Sequence, residues 1–146
     1  MTAEVVPVNV NAVAEAELPA PPDGWTPPTS NSITFRLIEL SRLIDQGTEE
    51  AIQLDEDWVE CKQRHEVAWA RAILSSSETS EAKRKADAIL QCEDLKLEME
   101  IRHQLLRGCE SRLKTLKEQM RIGQSLGAAA RADWAASNWM QQGDPR

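Results

Sequence analysis

The 146 residues carry a net charge of −7, three cysteines, a single phenylalanine and no tyrosine. That length is one domain's worth; the acidity disfavours nucleic acid and anionic membrane surfaces as partners, and the scarcity of aromatic rings argues against a β-sandwich or barrel. Three cysteines without a CxxC pair make no secreted disulfide framework, no apolar run approaches transmembrane length, and no basic start with an apolar core opens the chain, so a cytoplasmic protein without a membrane role is expected.

Six of the seven prolines lie at or before Pro28 and the seventh is Pro145, leaving residues 29–144 free of proline. Residues 1–31 read as a disordered Pro/Ala-rich acidic tail. Up to Thr29 it holds Glu4, Glu15, Glu17 and Asp23 with no basic side chain, and too little apolar surface to order itself. Val6, Val8 and Val10 alternate as in a strand that adds to a sheet edge. Pro21-Pro22-Asp23-Gly24-Trp25-Thr26-Pro27-Pro28 sets Trp25 in a stiff polyproline context, a candidate partner-binding residue. The plainer reading packs Trp25 on the nearest helix.

Ser30, Asn31 and Ser32 are N-cap candidates for a helix starting near Ile33. From there Ile33, Leu37, Leu40, Ile44, Gly47, Ala51, Leu54, Trp58, Cys61, His65, Ala68 and Ala72 recur at alternating steps of four and three. Such a stripe is the seam of a helix packed lengthwise on another. Its phase survives Gly47, where a kinked single helix is expected. After the polar break Ser75-Ser76-Ser77-Glu78-Thr79-Ser80, a second helix should begin at about Glu81. Its seam is Ala88, Cys92, Leu95, Met99, Arg102, Leu106, Cys109, Leu113, Leu116, Met120, Gly123 and Gly127.

Folding the chain at its middle superimposes the two seams. Ile33 then meets Met120, Leu40 meets Leu113, Trp58 meets Leu95 and Cys61 meets Cys92. The expected architecture is all-α: a long antiparallel helical hairpin over residues 32–127, coiled-coil-like, with arms at 33–74 and 81–122. Each arm is about 40 residues and about 60 Å long. In this register the net charges of residues 36–50 and 103–120 are opposite. Asp55, Glu56, Asp57 and Glu60, however, face Glu93, Asp94, Glu98 and Glu100, an acidic waist. Residues 128–146 should hold a short C-terminal helix and tail, with Trp134, Trp139 and Met140 folding back on the hairpin tip or docking on another protein.

Two helices alone leave a second apolar stripe bare: Ala86, Leu90, Leu97, Ile101 and Leu105 on one arm, with Phe35, Ile38, Ile52, Val59, Trp69 and Ile73 on the other. Stripes of this extent mark interfaces. Trp25, Leu90, Leu97, Ile101, Leu105, Trp134 and Trp139 are therefore the expected partner-binding residues, serving a homodimer or another protein partner. Cys61, His65 and Cys92 would converge in the register above as three zinc-type ligands, but two small buried cysteines and a seam histidine that fixes register are the favoured reading, and no metal or cofactor is expected. Arg102 breaks its seam opposite Ala51, with Glu50, Asp55 or Glu98 as its expected partner, and should set register. Arg107, Arg112, Lys114, Lys117 and Arg121 form a basic face without the interleaved aromatic rings that stack bases, so nucleic acid is possible but not favoured. With His65 and His103 the only histidines, no Ser/His/Asp order and no glycine-rich phosphate loop, no catalytic site is expected.

Two segments resemble known proteins: Val67-Ala68-Trp69-Ala70-Arg71-Ala72-Ile73-Leu74 with Ala82-Lys83-Arg84-Lys85-Ala86-Asp87-Ala88, and Arg112-Leu113-Lys114-Thr115-Leu116-Lys117-Glu118-Gln119-Met120-Arg121-Ile122-Gly123-Gln124-Ser125-Leu126. Together they resemble small all-helical early-region proteins of tailed bacteriophages, especially those of actinobacteria. The resemblance implies an accessory factor associated with DNA metabolism or recombination, and brings no catalytic residues with it. The expected function is a non-enzymatic helical adaptor acting in the host cytoplasm through protein–protein contacts. A virion structural or assembly protein is the alternative, and nucleic-acid binding through the basic arm, residues 102–131, is a second one.

Overall fold

Thr29 starts the helical part of the chain. Its backbone is extended, its Oγ1 accepts from Ser32 N at 3.2 Å, and its carbonyl accepts from Ser32 Oγ at 2.8 Å, so two groups at the helix start are satisfied by one residue. The cap therefore lies one residue earlier than the Ser/Asn run suggests. In the computed structural model, which describes residues 22–142, three helices follow: α1 (Ser30–Ser75), α2 (Glu81–Gln91) and α3 (Glu93–Gln142). All regular structure among the described residues is helical. The valine alternation at Val6–Val10 lies outside them. Just before Thr29, Gly24 takes φ +80° in a turn closed by Trp25 N donating to Pro22 O at 3.0 Å, a conformation that suits glycine.

Helix α1 passes through Gly47 without interruption, as a single element. The polar break falls where its serines indicate. Ser76 is extended, Ser80 precedes α2, and Arg84 Nε donates to Glu78 O at 2.7 Å, tying the loop to the first turn of α2. The second arm is interrupted once, at Cys92, whose φ −105° and ψ 11° leave helical geometry for one residue. Hydrogen bonds from Cys92 N to Ala88 O and from Lys96 N to Cys92 O span the interruption.

Every residue of both seams is buried or half-buried. The core consists of Ile33, Leu40, Cys61, Ala72, Ala88, Cys92, Leu106 and Leu113, with no buried polar side chain among them. The seams meet antiparallel, but one heptad away from the expected register. Gly47 faces Leu113, Gly123 faces Leu37, Gly127 faces Ile33, and Ala72 packs with Ala88 and Cys92 beside Ala68. Volume explains the choice. Each seam glycine receives an aliphatic side chain from the opposite helix, and small residues meet small ones near the loop. In the expected register Gly47 would again have faced a leucine, Leu106, but Gly123 would have faced Ser30 and Gly127 would have had no helical partner.

The slip also dissolves much of the acidic waist. Arg102 Nη1 lies 3.5 Å from Asp57 Oδ2, not beside Glu50, Asp55 or Glu98, and Arg64 Nη2 lies 3.3 Å from Glu98 Oε1. The His103 ring stacks on Trp58 at 4.8 Å between centroids. Cys61 and Cys92 are not partners. Cys61 sits between Arg64 and Glu98, whereas Cys92 packs on Ala72 and Ala88. The zinc-type trio is therefore dispersed: among the described residues, no cluster of three or more His, Cys, Asp and Glu is placed to hold a metal ion.

No separate C-terminal helix forms, because α3 continues through Gly123 and Gly127 to Gln142. With Gly127 opposite Ile33, near the start of α1, the rest of α3 runs on beyond its partner. Fifteen residues of helix would span about 22 Å. Trp134, Trp139 and Met140 lie on this overhang and do not fold back. Among the described residues no helix is long and apolar enough to cross a membrane.

Candidate functional site

The features able to engage another molecule lie on the outer faces. On α2–α3, Leu90, Leu97, Ile101 and Leu105 are 72%, 56%, 50% and 50% exposed. Their spacing puts them on one side of the helix, and shallow grooves run between them, lined by Ile89, Lys96, Glu100 and Gln104. On α1, Phe35, Ile38, Ile52 and Val59 are likewise exposed, but Trp69 and Ile73 pack on the Ala72–Ala88–Cys92 cluster and leave the expected stripe.

These two sets do not form one continuous surface. Leu105 follows Glu98 by seven residues and so shares the flank where Arg64 bridges to Glu98. Ile52 and Val59 fall on the other flank, where Lys62 Nζ lies 5.6 Å from the Trp58 ring. The molecule thus carries two apolar faces turned away from each other, a relationship that follows from antiparallel packing and the heptad positions.

Charged groups border these faces. Glu98 raises the proton affinity of Arg64 more than any other neighbour, with Cys61 and Glu60 adding to it. Arg64 also donates to Cys61 Sγ at 3.1 Å. On the basic face, Arg121 is taken up by Glu118 at 2.6 Å, and its guanidinium holds the Glu118 carboxyl below the usual range. Arg107, Arg112, Lys114 and Lys117 make no ion pair among the described residues. Arg107, Lys114 and Arg121 repeat every seven residues and form a line along α3.

Two features had no counterpart in the sequence reading. At the open end, Ile33, Leu37 and Leu40 of α1 and Ile122 and Leu126 of α3 line an apolar groove of about 300 Å³ beside Pro28. Gly123 at its floor was the available signal. The second is Gly108: a β-carbon there would meet nothing, unlike at the seam glycines. Trp25 is half exposed, while Trp134, Trp139 and Met140 are 70%, 79% and 85% exposed. The arrangement offers long apolar and charged strips for association with a surface. No known protein family, curated protein or solved structure matches the chain.

Proposed function

We propose that this chain is a non-enzymatic adaptor, a long helical hairpin that works in the cytoplasm by binding protein partners. The observation that carries the reading is the extent of exposed large apolar side chains, from Phe35 on α1 to Trp139 and Met140 on the overhang of α3. A soluble monomer rarely leaves such surface uncovered, and tryptophan is enriched among residues that dominate binding energy. The resemblance to early-region phage proteins supports a place in phage DNA metabolism.

Affinity capture from the source or infected cells tests this, using the full chain beside Trp25→Ala and Trp139→Ala. A specific partner whose recovery drops with Trp139→Ala is expected. Equal recovery by wild type and both variants, or no specific partner, overturns the reading.

The line through Arg107 and Lys114, neither of which makes an ion pair among the described residues, favours nucleic-acid binding as a second reading. A mobility shift of single-stranded DNA that weakens as salt rises would support it. Absence of any shift at low salt removes it.

A further inference from the structure

We propose that two copies of this chain associate through the α2–α3 face bearing Leu90, Leu97, Ile101 and Gly108, antiparallel about a two-fold axis at the level of Met99. The proposal rests on the reading that the exposed apolar faces are interfaces, and it names the occupant of one of them.

The helical glycines carry the first part. A glycine inside a helix is destabilising unless something uses the missing side chain. Gly47 and Gly123 each admit an aliphatic side chain from the opposing helix, Leu113 and Leu37, into space a β-carbon would take, and Gly127 lies in ordinary contact with Ile33. Gly108 alone among them has open space around it. It follows Ile101 by seven residues, just as Leu97 follows Leu90, so the four positions form two parallel lines on the outer surface. Laying a second copy antiparallel about Met99 sets Leu97 against Ile101 and Leu90 against Gly108, and both contacts occur twice. The outer face then repeats the side-chain-into-notch packing that closes the inner seam. Leu90, Leu97 and Ile101 are all at least half exposed in the single chain.

Charge selects a second copy in this orientation. Glu93 and Asp94 precede the axis, Arg107 and Arg112 follow it, and none of the four has an ion-pair partner among the described residues. The two-fold brings Glu93 of each copy within a turn of Arg107 of the other, and the two Glu100 carboxylates that meet near the axis each have Lys96 of their own chain at 3.9 Å. A parallel arrangement would set Glu93 on Glu93 with no Arg107 within a turn. An interface of this kind is self-complementary and closes at two copies.

Light scattering and sedimentation equilibrium on the full chain should give twice 16.4 kDa at micromolar concentration. Leu97→Glu should weaken association by roughly tenfold or more, with helix content by circular dichroism unchanged. Gly108→Trp, which fills open space in the single chain, should do the same. Glu93→Arg and Arg107→Glu should each weaken the dimer, and the double variant E93R/R107E should recover wild-type affinity. A monomer at these concentrations, a dimer indifferent to both Leu97→Glu and Gly108→Trp, or a double variant no better than the singles overturns the proposal. A monomer that still captures a partner through Trp139 overturns the dimer and leaves the adaptor reading standing. A dimer that captures nothing overturns the adaptor reading and leaves the dimer.

Discussion

Leu113 occupies the notch opened by Gly47: a β-carbon at Gly47 would stand 2.8 Å from Leu113 Cδ2. The same relationship, at the same distance, links Gly123 to Leu37. These two contacts lie ten residues apart on each helix, about 15 Å, and fix how α1 and α3 are aligned.

Gly47→Leu should therefore overpack the seam and cost about 1–3 kcal/mol of stability. Leu113→Ala alone should cost about 2–5 kcal/mol. Combined, the two should cost less than their sum by roughly 1 kcal/mol or more, because the cavity accepts the new side chain. Gly47→Leu with Leu106→Ala, the partner in the alternative register, should be additive. Urea unfolding followed by circular dichroism, with Leu106→Ala alone included, gives all five values.

Cysteine chemistry provides a second measure of the alignment. Cys61 and Cys92 are displaced by one heptad along the axis, about 10 Å, beyond the separation a disulfide tolerates. Under mild oxidation they should not form an intrachain bond. Ala68→Cys, with Cys61 and Cys109 replaced by alanine, should couple to Cys92, because Ala68 packs on the cluster containing it. A gel shift under non-reducing conditions distinguishes the two, and a Cys61–Cys92 bond in the native chain would refute the alignment.

Alkaline pH should weaken the fold through Cys109. Burial is the main cause pushing its thiol above the ordinary value of 9.0, with the Glu50 carboxylate adding to it. The folded chain then holds this proton more tightly than the unfolded chain. The contribution is complete below the ordinary value and disappears as pH rises through the raised one. Cys109→Ala should flatten that alkaline loss in thermal melts. On the acid side Glu81 and Glu118, drawn down by Lys85 and Arg121, support the fold above their ordinary value of 4.5 and lose that support as pH falls through the lowered ones. Both pairs are exposed, so Glu118→Gln should scarcely change the melting temperature at neutral pH.

The alternation of three and four residues determined, by itself, that residues from Ile33 to Ala72 and from Ala88 to Gly127 present one continuous buried stripe each. The tertiary structure places every one of those positions as expected. The polar run before Glu81 marked the reversal, since serines cap helix ends and no apolar residue there sustains a seam. Exposure of Leu90, Leu97, Ile101 and Leu105 was equally legible, because a two-helix seam has no room for a second stripe.

Register was not legible, and the reason is periodicity. Sliding one arm by a heptad returns every seam residue to the same phase, and the net charge of the segment opposite residues 36–50 does not change either. Residues 103–120 and 110–124 each contain four lysines or arginines and two glutamates. Side-chain volume breaks the degeneracy, because only this alignment brings Leu37 to Gly123 and Ile33 to Gly127, and it also moves Asp57 out of the acidic waist to Arg102. From that alignment follow the Arg102–Asp57 pair, the separation of Cys61 from Cys92, and the overhang that carries Trp134 and Trp139. Sequence periodicity determined which side of each helix is inside; packing in three dimensions decided which residue meets which, because contact depends on volume and periodicity does not encode it.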